Sequence, residues 1–243
     1  MAGSITKDKR ISSLCSILSE NISRGDCIGY FEDEDRRYFV HPHITEDLQN
    51  GLAPISLGHI LQGEAGPPLT RRQRYSLALI LASSFIQLRD TPWISLPWNK
   101  YKIMFPLQKD NQALIMLNEV SIAKDFTTEP DALPAISAQG DVNGLDSLGV
   151  ILIELCFGQT IENHPSRKRL PQGDNESLKA TYDFVAALEW LKDVNDEAGE
   201  YYADAVEWCL SKCRVLSSGK EWRKEMLQHV IIPIERCSKY LSR

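Results

Sequence analysis

Between Leu148 and Phe157 the chain is apolar except for Gly149 and Glu154. A run of that kind is buried on all sides, as a strand or as a helix. Its punctuation favours a helix over 142–158. Asn143 is a suitable N-cap, Asp146 suits the positive end of the helix dipole, and Gly158 is a natural stop. A helix apolar all round belongs in the middle of a domain with other helices packed about it. Each large side chain buried there contributes roughly 1.5–3 kcal/mol.

The rest of the chain is long enough to surround such a helix. It has 243 residues, of which 43% are hydrophobic and 25% charged, the balance of an ordinary globular protein. A net charge of −6 argues against a nucleic-acid partner or an acidic membrane surface. Two short basic clusters, Arg71–Arg72–Arg74 and Arg167–Lys168–Arg169, read as solvated faces. No apolar run reaches the ~20 residues that span a bilayer. The N-terminal MAGSITKDKR lacks the apolar core of a signal peptide. Cys15, Cys27, Cys156, Cys209, Cys213 and Cys237 are scattered and match neither metal-site nor disulfide spacing. Free thiols in a reducing, cytoplasmic compartment are the expectation.

Taken in order, residues 5–21 carry a helical face of Ile11, Leu14, Cys15 and Leu18. The runs 27–31 and 38–40 flank an acidic tip and predict a hairpin. Residues 41–54 read as connector and 56–62 as a short helix. Thr70 and Gln73 form a capping box that opens a core helix to about Arg89. Runs 100–105 and 113–117 predict a second small hairpin, and 118–141 a long irregular segment. After the central helix come a polar loop over 159–174 and a helix capped by Asn175. Leu178, Tyr182, Val185, Leu188 and Leu191 recur on that helix at helical spacing. A further helix covers about 198–213. The last begins after Gly219 and is kinked or split by Pro233. Trp190, Trp208 and Trp222 are expected between these helices.

Several stretches together carry a resemblance. They are SLGHILQG, the R-x-x-L-A-x-x-L-A-S-S-F-x-Q-L helix and the two tryptophans Trp93 and Trp98 ahead of KIMF. SLGVILIELCFG and a tail of AVEWCL followed by EWRKEMLQHVIIPIE complete the set. Their order over roughly residues 25–240 resembles the C-lobe of a protein kinase. More closely it resembles the kinase-like domain of fungal proteins that often follows a HeLo-type, prion-inhibition-and-propagation domain. The resemblance implies an α+β, mainly α fold: a truncated N-lobe remnant over 1–50 and a helical kinase-like C-lobe over 51–243.

It does not carry kinase chemistry with it. Phosphoryl transfer needs a Gly-rich loop, a lysine on the third strand, a catalytic Asp and two Mg²⁺ ligands. The sequence contains no G-x-G-x-x-G. With KIMF on the strand after the catalytic loop, Pro97 stands at the catalytic Asp and Lys102 at the Mg²⁺-binding Asn. Glu119 falls near the D-F-G position, and the one D-F pair nearby starts later, at Asp125. A proline accepts no proton, and a lysine repels the metal. The implied function is a catalytically inactive, pseudokinase-like module for protein interaction or regulation, without cofactor or metal and with a protein partner. Self/non-self recognition or cell-death signalling is the setting that the resemblance suggests. Two alternatives remain open. One is an atypical phosphotransferase using Glu119 and Asp125. The other is a small-molecule site in the vestigial cleft walled by Trp93 and Trp98, although core packing explains both tryptophans as well.

Overall fold

The structure is a computed structural model that describes residues 10–13, 17, 27–33, 36–40, 53–89, 91, 98–108, 114–123, 138–211 and 221–241. The side chains of 33, 36, 53, 108, 114 and 138–143 are excepted. The fold is α+β and mainly α. Its contacts divide the chain into two compact units, 1–53 with 125–133, and 54–124 with 134–243.

In the first unit, strands β1 (Gly29–Asp33) and β2 (Arg36–Val40) form the expected antiparallel hairpin, with Tyr30 opposite Phe39. Arg37 explains part of its cohesion: its guanidinium lies over the Tyr30 ring and its Nε donates to Glu32 at 3.2 Å. Most of the helix expected over 5–21 lies outside the described residues. Ile17 is helical, whereas Arg10 is extended and bridges Tyr30 in parallel.

The second unit is built round the central helix. Strand β3 (Ala53–Ser56) leads into α1 (Leu57–Leu61), where the Ser56 hydroxyl caps the His59 N–H. Ala53 and Pro54 of β3 were expected as connector and Ser56 as the start of the short helix. With Pro54 and no alternation, nothing in them marks a strand. Helix α2 (Arg71–Leu88) opens with the expected capping box of Thr70 and Gln73. A 3-10 turn, Lys100–Lys102, then feeds strand β4 (Ile103–Gln108). Strands β5 (Leu114–Ile115) and β6 (Ser121–Ile122) both pair antiparallel with β4.

Helix α3 (Ala138–Phe157) is the expected central helix, but it starts earlier. Asn143 lies inside it and is not its N-cap. The stop is as expected: Gly158 takes a φ of +69°, which only glycine adopts cheaply. Leu148, Leu152, Ile153, Leu155 and Cys156 are fully buried. Gly149 has a separate reason to be glycine. A Cβ there would stand 2.6 Å from Leu210 Cδ2, so its bareness lets α3 approach the helix carrying Leu210 closely.

Beyond α3, the stretch expected as loop holds a 3-10 turn, Ile161–Asn163, and a short helix α4 (Pro165–Lys168). Helix α5 (Glu176–Ala198) is capped by Asn175 as expected, and α6 (Glu200–Leu210) follows after Gly199. Helix α3 packs against α2, α5 and α6. The tail divides into α7 (Glu221–Met226), a π turn (Leu227–Ile231) and α8 (Ile232–Tyr240). Pro233 accounts for the division. It lacks an N–H for the carbonyl of His229 four residues back, and that carbonyl lies in the widened turn. Trp190, Trp208 and Trp222 are buried between these helices.

Two expectations about faces fail. The apolar spacing on α5 predicted a core face of Leu178, Tyr182, Val185, Leu188 and Leu191. The buried residues are instead Ala186, Ala187, Trp190 and Val194, and Leu178, Val185 and Leu188 are exposed. The basic clusters are not simply solvated either. Arg167 is only 3% exposed. It donates to Asp183 Oδ1 at 2.5 Å and to the carbonyls of Pro171 and Gln172 at 2.8 and 3.1 Å. The Arg74 side chain is 12% exposed and lies beside Gly158, where a cation favours the carbonyl end of α3.

Candidate functional site

The one charged residue in the apolar stretch of α3 organises a buried polar cluster. Glu154 is fully buried, and a carboxylate there is costly unless it is paired. Its Oε1 accepts from Lys100 Nζ and, at 2.7 Å, from the Ile161 N–H. Lys100 is itself 8% exposed and donates also to Glu162 Oε2 at 2.7 Å. Three elements thus meet at one ammonium: the 3-10 turn before β4, α3, and the 3-10 turn after it.

Local sequence explains how Lys100 gets there. Asn99 caps the turn by accepting from the Tyr101 N–H at 2.8 Å, and the Lys102 N–H bonds back to the Asn99 carbonyl. The electrostatics follow from burial and pairing. Burial opposes the charge on Lys100, but Glu154 and Glu162 more than offset it and raise its pKa above the usual lysine value. Burial would push Glu162 up, yet the Lys100 ammonium more than offsets it and holds that carboxyl below its usual range. For Glu154, complete burial prevails and the pKa is raised in spite of Lys100. An ammonium held between two carboxylates stays protonated, so it is no amine nucleophile. The cluster locks structure. Nearby chemistry is equally quiet: burial pushes the Cys156 thiol up to about 12, far from a reactive thiolate.

The surface of the second unit offers a groove of ≈ 410 Å³ between α2 and the β5–β6 turn. Leu77, Ile80, Ile115 and Leu117 make its apolar floor, and Arg72 and Glu119 stand on its rim. Leu77 is buried, Ile80, Ile115 and Leu117 are half-buried, and both rim charges are exposed. The turn that carries Glu119 is held by its own backbone: the Glu119 N–H donates to the Met116 carbonyl at 3.1 Å, and the Met116 N–H to Pro106 at 3.0 Å.

Of the candidate site residues Trp93, Trp98, Lys102, Glu119 and Asp125, Glu119 alone lines this groove among those described. Trp98 is 5% exposed, packs on Phe85 with ring centroids 5.6 Å apart, and donates its backbone N–H to Ser147 Oγ at 2.9 Å. It anchors the core against α3, in keeping with the core-packing alternative. Lys102 is exposed, and its carbonyl accepts from the Ala123 N–H at 2.8 Å. Trp93 and Asp125 lie outside the described residues. Lys100 and Glu162 were not foreseen. The signal for them was Glu154 itself, because a charge inside an all-apolar helix requires a partner elsewhere. The partner's position, 54 residues earlier, is not a local pattern.

Among the described residues, no group of three or more His, Cys, Asp or Glu is placed to hold a metal ion. None of the helices there is long and apolar enough to cross a membrane. Cys27, Cys156, Cys209 and Cys237 are free thiols, while Cys15 and Cys213 lie outside the described residues.

The chain matches the family described as Domain of unknown function (DUF7580) over residues 3–239, and it belongs to that family. No curated protein and no solved structure gives a significant match.

Proposed function

We propose that this chain is a non-catalytic protein-interaction or regulatory module that takes a short linear segment of another protein into the groove between α2 and the β5–β6 turn. The groove is the observation that carries the reading. Its floor of Leu77, Ile80, Ile115 and Leu117 suits one large apolar side chain of the segment. Its rim charges, Arg72 and Glu119, suit an acidic and a basic residue on either side of that anchor. The resemblance to a protein-kinase C-lobe supports the reading further, since Pro97 and Lys102 stand where a catalytic Asp and a metal ligand would be needed. On that resemblance residues 1–50 are the remnant of an N-lobe. A cytoplasmic, fungal setting in self/non-self recognition or cell-death signalling rests on the resemblance alone.

The test selects binders from a phage-displayed random dodecapeptide library on the wild-type chain. The expected binders carry an apolar residue between an acidic and a basic one, and they lose binding to Ile80→Asp and Arg72→Glu. A parallel incubation with labelled ATP, Mg²⁺ or Mn²⁺ and generic acceptors is expected to match the no-protein control. Transfer that disappears in Glu119→Ala or Asp125→Ala would overturn the reading in favour of an atypical phosphotransferase.

A further inference from the structure

Trp190 gathers three elements into one aromatic stack. Phe157, at the end of α3, lies on its indole with ring centroids 4.6 Å apart and 16° between the planes. His164 lies on it at 4.7 Å and 21°. Trp190 is buried, whereas His164 is half-buried and keeps access to protons from solvent. His164 has a second task as the N-cap of α4. Its Nδ1 accepts from the Ser166 N–H at 3.3 Å, and its carbonyl accepts from the N–H groups of Arg167 and Lys168 at 3.0 and 3.1 Å. One imidazole therefore fastens α4 to α5 by its ring face and starts α4 by its ring nitrogen. In that role it is neutral, with its proton on Nε2, because Nδ1 must offer a lone pair.

We propose that His164 is a proton-operated latch on α4: the neutral ring caps the helix, and protonation turns Nδ1 from acceptor into donor and releases the Ser166 N–H. The effect reaches beyond one turn. Arg167 on α4 holds Asp183 of α5 at 2.5 Å and the carbonyls of Pro171 and Gln172, so a loosened α4 frees the stretch 165–172 from α5. The groups around the ring set the direction. Burial opposes the cation most, and Arg169 beyond α4 opposes it too, while Asp193 and Glu189 of α5 favour it. Glu189 is drawn to Lys192 at 2.7 Å. Arg167 is engaged by Asp183, and Glu162 in the preceding 3-10 turn by Lys100. The balance holds the imidazole below the usual histidine value of 6.5. The folded chain thus prefers the neutral ring. The latch is fully closed above the usual value and opens as pH falls through the lower, folded one.

NMR spectra of the whole chain between roughly pH 8 and pH 5 follow the His164 ring Cε1–H and the Ser166 amide together. The His164→Asn spectrum identifies the ring signal by its loss. The ring is expected to titrate with a midpoint below 6.5, and the Ser166 amide to move with the same midpoint. Asparagine caps a helix without titrating, so in His164→Asn the Ser166 amide holds its position throughout. Asp193→Asn removes a charge that favours the cation and shifts the ring midpoint down, and Arg169→Gln shifts it up. The proposal is overturned by a midpoint at or above 6.5, or by a Ser166 amide that stays still while the ring titrates. It is also overturned by a pH response at Ser166 that survives in His164→Asn, or by one that the core methyl groups of Leu152 share.

Discussion

Helices α3 and α5 lie against each other, and both carry many large apolar residues, but they spend them differently. On α3 nearly every apolar side chain from Leu148 to Phe157 is buried, and the one charge among them is neutralised by Lys100. On α5 the core side is served largely by small residues, Ala186 and Ala187, with Trp190 stacked on Phe157 at 4.6 Å. Its bulkier Leu178, Val185 and Leu188 face outward. Close packing explains the choice. A helix laid against α3 needs small residues where the backbones come near, and aromatic filling where they diverge. The apolar residues left over on α5 are 36–46% exposed, so they contribute less to the fold than the fully buried residues of α3.

Substitutions separate the two kinds of apolar face. The largest effect is expected on α3. Ile151→Asp or Leu152→Asp places an unpaired carboxylate in packed core, a loss of about 4–5 kcal/mol or more. Neither variant should yield soluble folded protein in an expression trial. A wild-type melting temperature for both would remove α3 from the centre of the fold.

Next in size is the charge that α3 buries. Lys100→Met leaves Glu154 buried without its cation, which costs about 3–5 kcal/mol in a urea titration. Adding Glu154→Leu removes the orphaned charge and recovers part of the loss. The remaining deficit is about 1–3 kcal/mol, because the Ile161 N–H then lacks its acceptor. A double variant no more stable than Lys100→Met alone would mean that the pair does not act as one unit.

A smaller effect concerns pH. Glu162 has a lowered pKa in the folded chain, so it contributes stability above the usual glutamate pKa of ~4.3. That contribution is lost as pH falls through the folded value. Glu154 acts in the opposite sense: its raised pKa favours the folded state at low pH, and this is lost as pH rises. Glu162→Gln removes only the first of these. Its urea midpoint should therefore fall less steeply than the wild type's between roughly pH 5 and pH 3. An equally steep or steeper fall in the variant would contradict the pairing of Glu162 with Lys100.

The contrast between α3 and α5 also shows what was legible in the sequence. Helix α3 was legible because residues apolar all round leave no choice of face. The caps at Thr70 and Asn175 and the stop at Gly158 were legible because each is a local hydrogen bond or a local φ. The start of α3 was not, since Asn143 is a good cap that tertiary context overrode. The core face of α5 was misread because periodicity reports where apolar residues recur and not which recurrence is buried. Alanines at a close crossing carry little hydropathic signal. Trp98 was offered as a cleft wall and Glu119 as a carboxylate of an alternative phosphotransferase. Trp98 fills the core and Glu119 stands on a surface groove, and only the fold can separate two such residues. The groove itself depends on β4, β5 and α2 meeting across some forty residues of chain, which no short-range pattern encodes.

The outward face of α5 contributes far less to the stability of a single copy than the buried residues of α3 do. Thermal melting of Val185→Asp at low protein concentration, beside Ile151→Asp, tests it most directly. An exposed substitution of this kind changes stability by no more than about 0.5 kcal/mol, so Val185→Asp should melt with the wild type. A loss of several kcal/mol at Val185, comparable to that at a buried α3 position, would contradict the account.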